Sequence, residues 1–104
     1  MKDFTIIYKI LKALQISMQI DDFDPEVISA KFLDINREQW EQIITMLVKN
    51  EYIEGVSIKN YWHAPASISM KRPKITLKGL EYLASNPIMI KESNTAQGIL
   101  EIIQ

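Results

Sequence analysis

A chain of 104 residues has room for one core and not for two. It holds no cysteine and a single histidine, His63, which excludes disulfides, thiolate metal sites and the common nucleophile–base constellations. With 47% hydrophobic and 24% charged residues it has the composition of an ordinary globular domain, so wholesale disorder is not expected.

No apolar run approaches the roughly 20 residues of a membrane span. Lys9 and Lys12 interrupt the N-terminal apolar stretch, which therefore lacks the layout of a secretory signal, and a cytoplasmic location is expected. The net charge of −1 conceals a split. Residues 1–20 sum to +2, and residues 21–54, with Asp21, Asp22, Asp24, Glu38 and Glu41 among nine acids, sum to −6. Residues 55–80 carry Lys59, Lys71, Arg72, Lys74 and Lys78 with no acid, which is +5. Such blocks either solvate a face or mark a partner of opposite charge.

In chain order, the spacing of Ile7, Ile10, Leu11 and Leu14 predicts a helix over residues 3–17, with Asp3 as its N-cap. Asp24-Pro25 is a cap followed by a first-turn proline, so a short second helix should follow with Val27, Ile28 and Phe32 inward. Asp34 suits a left-handed turn. The third helix is expected over residues 37–50. Asn36 caps it, Gln39 reaches back to the cap, Ile35 staples onto Trp40, and Trp40, Ile43, Ile44, Leu47 and Val48 form its apolar stripe.

Residues 52–59 read as a strand with Gly55 as a bulge, and residues 60–70, containing Pro65, read as a loop. Residues 74–76 form the returning strand. Thr76 then caps a fourth helix to about residue 84, with Leu77, Leu80 and Leu83 apolar, and Asn86-Pro87 breaks it. In the tail, Asn94-Thr95-Ala96-Gln97 resembles a capping box ahead of the stripe Ala96, Ile99, Leu100 and Ile103.

Three helices, a hairpin and further helix give an α+β chain in the order of a winged helix-turn-helix domain. The helix-turn-helix spans about residues 25–50, the wing about 52–76 and the C-terminal helices about 77–104. The runs Ile7-Tyr8-Lys9-Ile10-Leu11-Lys12-Ala13-Leu14, Met46-Leu47-Val48 after Trp40, Tyr52-Ile53 with Gly55-Val56-Ser57, and Ile75-Thr76-Leu77-Lys78-Gly79-Leu80-Glu81-Tyr82-Leu83 carry a resemblance over nearly the whole chain. It resembles the YjcQ family, small bacterial and phage proteins assigned to the winged-helix superfamily. One departure is Asp34 where glycine is expected in the turn. The resemblance implies helices with a three-stranded sheet and brings no catalytic residues.

No set of residues points to an enzyme, a cofactor, a metal or a small-molecule substrate. Asp21, Asp22 and Asp24 read as an open solvated turn, and the three glycines form no phosphate loop. Two functions stand against each other. If the protein binds double-stranded DNA as a regulator, the third helix addresses bases through Arg37 and Gln42, with Lys49 beside them. Lys59, Lys71, Arg72 and Lys74 of the wing then hold phosphates, with Tyr61, Trp62 and His63 interleaved. The objection is that Glu38 and Glu41 cancel Arg37 and Lys49. If instead it is a homodimer or binds a protein partner, the tail stripe with Ile88 and Ile90 could pair across a two-fold axis, or pack on the first helix. Trp62 would then suit an interface hot spot, unless it packs over the sheet.

Overall fold

The computed structural model describes residues 2–95, and all of their side chains except those of residues 2, 61, 65 and 66. The elements are α1 (Lys2–Ser17), a 3-10 turn (Pro25–Ile28), α2 (Ala30–Leu33), α3 (Arg37–Lys49), β1 (Ile53–Tyr61), β2 (Ala64–Ile75), α4 (Leu77–Ser85) and α5 (Pro87–Thr95). This is the expected α+β class, with helices and an antiparallel hairpin in an order compatible with a winged helix-turn-helix.

α1 lies at the centre. Its Ile10, Leu11 and Leu14 are fully buried, each a gain of about 1.5–3 kcal/mol over exposure. They join Ile28 from the 3-10 turn, Leu33 from α2, Trp40, Ile43, Ile44 and Leu47 from α3, Ile53 and Ile75 from the base of the hairpin, Leu83 from α4 and Met89 from α5. Asp3 is not the cap expected of it, because α1 already includes Lys2. Instead it sits in the first turn and accepts a 2.7 Å hydrogen bond from Gln39 Nε2. The Gln39 amide thus points to α1, and no bond from the Asn36 N–H to its oxygen forms among the described residues.

The second helix departs from expectation. Asp24 accepts from the Glu26 N–H and starts a 3-10 turn, which Ser29 interrupts; Ser29 then caps α2 by accepting from the Phe32 N–H. The break resets the helical phase, so Leu33 is buried and Phe32 is exposed. Asp34 closes α2 in the left-handed region, φ 57°, as its turn position required. Asn36 caps α3 through a 2.7 Å bond from the Gln39 N–H. The Trp40 indole, buried in the core, donates to the Ile28 carbonyl at 2.8 Å and fastens α3 to the 3-10 turn.

The loop expected over residues 60–70 is instead strand. β1 and β2 pair from Ile53↔Ile75 out to Tyr61↔Ala64, leaving Trp62-His63 as the tip. Ile68 and Met70 alternate with Ser67, Ser69 and Lys71, a period-2 signal that outweighs Pro65. Val56, Ile58, Ile68 and Met70 take one face, half-buried; Ser57, Lys59, Ser67 and Ser69 take the other, exposed. Gly55 is the bulge it was expected to be, at φ 78°, with the Arg72 carbonyl lying 1.9 Å from where a Cβ would stand. The sheet has two strands among the described residues and not the three that the resemblance implied. Residues 20–24 lie near β2 without entering its ladder, since Asp21, Asp22 and Asp24-Pro25 suit neither strand faces nor strand donors.

Thr76 caps α4 by accepting from the Gly79 N–H at 3.0 Å, while its hydroxyl donates to the Glu51 carbonyl at 2.6 Å. Leu80 packs on the core and Leu83 is buried, but Leu77 faces outward. Asn86 ends α4 and also accepts from the Ile88 and Met89 N–H groups, so Asn86-Pro87, expected only as a break, starts α5 at once. Asn94 and Thr95 end α5, where the Thr95 hydroxyl donates back to the Glu92 carbonyl at 3.1 Å; the rest of the expected capping box, Ala96 and Gln97, lies outside the described residues. The stripe Ala96, Ile99, Leu100 and Ile103 lies outside the described residues.

Candidate nucleic-acid interface

The outer face of α3 is fixed by its inner one. With Trp40, Ile43, Ile44 and Leu47 buried, Glu38, Gln42 and Lys49 are exposed on the opposite side, Thr45 is half-buried among them and Met46 flanks them. Arg37 does not reach outward freely. Its Nε donates to Glu41 Oε2 at 3.2 Å, one turn on, and its guanidinium lies 4.9 Å from the centroid of the Trp40 ring. An exposed i,i+4 pair contributes only about 0.3–0.5 kcal/mol, so it stabilises little, but it neutralises the one guanidinium on this helix. Lys49 sits in the last turn, where a cation complements the helix dipole.

The hairpin carries the rest. Lys59 is exposed and stands across from Ser67 in the outer ladder. Lys74 faces Glu54 across the base, an opposite-charge cross-strand pair. Lys71 and Arg72 fall in the irregular stretch opposite Gly55 and are exposed. Lys78, on α4, bends toward the ring of Tyr52, with its Nζ 5.8 Å from the centroid. Beneath it Tyr52 and Tyr82 stack at 4.6 Å, and burial, reinforced by Tyr52, raises the Tyr82 phenol above its ordinary pKa of 10.0. At the tip Trp62 is 95% exposed and touches the edge of His63 at 4.9 Å; it does not pack over the sheet.

Lys71, Arg72 and Lys74 share one cleft of about 640 Å³ with Asp21, Asp22 and Phe23, lined also by Met18, Ile20 and Pro73. The structure thus gathers three of the expected phosphate-binding cations, sets Lys59 and Trp62 farther out on the ribbon, and leaves Arg37, Gln42 and Lys49 on α3. It also brings Asp21 and Asp22, exposed as an open turn leaves them, to the same cleft. The signal for them was present: the −6 block and the +5 block are neighbours in the chain, and opposite blocks attract.

Among the described residues, no cluster of three or more histidines or carboxylates could hold a metal ion, and no helix is long and apolar enough to cross a membrane. No curated protein and no solved structure matches the chain. The family model described as YjcQ protein matches residues 8–102, and the chain belongs to the YjcQ family.

Proposed function

We propose that this protein is a non-catalytic, DNA-associated regulator that grips duplex DNA chiefly with its hairpin. The observation that carries the reading is the acid-free run of residues 55–80, whose Lys59, Lys71, Arg72 and Lys74 are all exposed on a ribbon ending in the protruding indole of Trp62. Affinity for DNA comes largely from phosphates neutralised by such cations. An aromatic tip on a basic ribbon suits the minor groove, where a wedge between base steps adds contact area.

Under this reading α3 adds direction rather than affinity. Gln42 has the bidentate amide that adenine accepts, and Arg37 reaches guanine only by leaving Glu41. Binding of a mixed-sequence duplex, followed by fluorescence anisotropy across NaCl concentrations, tests the reading with K71A/R72A. Removing two phosphate contacts should weaken binding and reduce the slope of log K against log salt by about 1.8. Equal affinity and equal slope for wild type and variant would refute it.

A second reading has its own observation in the neutralised Arg37 and the acids Glu38 and Glu41 beside it, which leave α3 poorly suited to phosphate. A protein-interaction module, homodimeric or with a partner, would use Trp62 as an anchor. It predicts a complex that survives high salt in light scattering and is lost in W62A.

A further inference from the structure

The cleft at the base of the hairpin has two walls of opposite sign. Asp21 and Asp22 stand on one, Lys71, Arg72 and Lys74 on the other. Yet the only ion pair shorter than 4.0 Å among the described residues is Arg37–Glu41, at the far end of α3. Asp24 is committed, because its carboxylate accepts from the Glu26 N–H at 3.0 Å. Asp21 and Asp22 have no hydrogen-bond or ion-pair partner among the described residues, and they ride on a turn that makes no backbone bond to β2. The two sets of opposite charge thus line one cleft without closing into an ion pair among the described residues.

A polyanion approaching Lys71 and Arg72 meets those carboxylates in the same space. We infer that the turn of residues 20–24 is an autoinhibitory strap, whose Asp21 and Asp22 compete with phosphate for Lys71, Arg72 and Lys74. This rests on the DNA reading. The strap sets a threshold: a weak, non-specific phosphate contact does not displace it, whereas a site that also satisfies the hairpin tip and α3 does. The wing base would then be engaged only on DNA already held elsewhere.

The test compares D21N/D22N with E51Q/E81Q, which changes the net charge equally but lies outside the cleft. In duplex titrations over a range of NaCl, D21N/D22N should bind more tightly than wild type and steepen the salt slope by about 1.8, two phosphates more. E51Q/E81Q should leave the slope unchanged. Equal slopes in both variants would overturn the strap while leaving DNA binding intact. If no variant binds DNA, the proposed function fails by itself, and thermal unfolding decides the strap. Wild type should then lose stability as salt screens the two walls, and D21N/D22N should not; parallel salt dependence would overturn it.

Discussion

Replacing Gly79 by alanine should destabilise the protein, although glycine sits inside a helix where alanine is ordinarily better by about 1 kcal/mol. The reason is the corner at which α4 meets the end of α3 and the start of β1. A Cβ at position 79 would stand 2.2 Å from the Tyr52 carbonyl oxygen and 2.8 Å from Ile75 Cγ1. The Ile75 methylene can give way. The Tyr52 carbonyl cannot, because it accepts the Thr76 N–H at 3.1 Å while the Tyr52 N–H donates to Leu47 at 2.9 Å.

Relieving the overlap means moving α4 by about 1 Å, against an overpacking penalty of typically 1–3 kcal/mol. The move stretches the Thr76–Tyr52 bond and separates the stacked tyrosines, each a further loss of order 1 kcal/mol. After the propensity gain is set against these, the net loss is about 2–4 kcal/mol, or a fall in Tm of roughly 10–30 °C for a domain of this size. Urea unfolding followed by circular dichroism would show a lower midpoint with an unchanged m-value. A midpoint equal to or above wild type would refute the reasoning, because it would mean the corner is loose.

Three other outcomes follow from polar groups wholly or partly withdrawn from solvent. Tyr8→Phe should leave stability unchanged or raise it by up to about 1–3 kcal/mol, since the buried Tyr8 hydroxyl has no partner among the described residues; a lower denaturation midpoint would contradict this. Trp40→Phe should cost about 1–3 kcal/mol through the orphaned Ile28 carbonyl, read as a lower urea midpoint, and an effect under about 0.5 kcal/mol would show that the indole bond is dispensable. Tyr82 titrates above its ordinary value in the folded chain, so the stability tied to its protonated phenol is present below pH 10.0 and is lost as pH rises through the folded value. Tyr82→Phe should therefore flatten the alkaline fall in Tm, and an identical fall in both proteins would exclude the phenol as its cause.

α3 was legible in the sequence because three independent signals agreed: a cap at Asn36, a 3.6-residue apolar period and a polar opposite face. The outer hairpin was not. Pro65 and the small residues around it read as a loop, and only the Ser67–Lys71 alternation spoke for a strand. α5 was missed although Asn86-Pro87 repeats the cap-and-proline pattern of Asp24-Pro25; a proline that stops one helix can also open the next. Phe32 went astray because a single Ser29 break shifts the phase of all that follows. At the candidate site, each cation was visible by type and exposure. Their neighbours were visible only as an adjacent block of opposite charge, since Asp21 and Lys71 come to line one cleft through the packing of the turn after α1 against β2, which no local pattern encodes.

The hairpin has one further consequence. In its outer ladder, from Ser57 and Ser69 to the tip, each rung places its pair of residues on one side and the next rung on the other, by the pleat alone. Removing or adding two rungs there would keep every remaining side chain on its present side, whereas one rung would send the tip to the opposite side. Arm length in such a protein is therefore free to drift, but in even steps, and the reach of the tip can be retuned without disturbing anything beneath it.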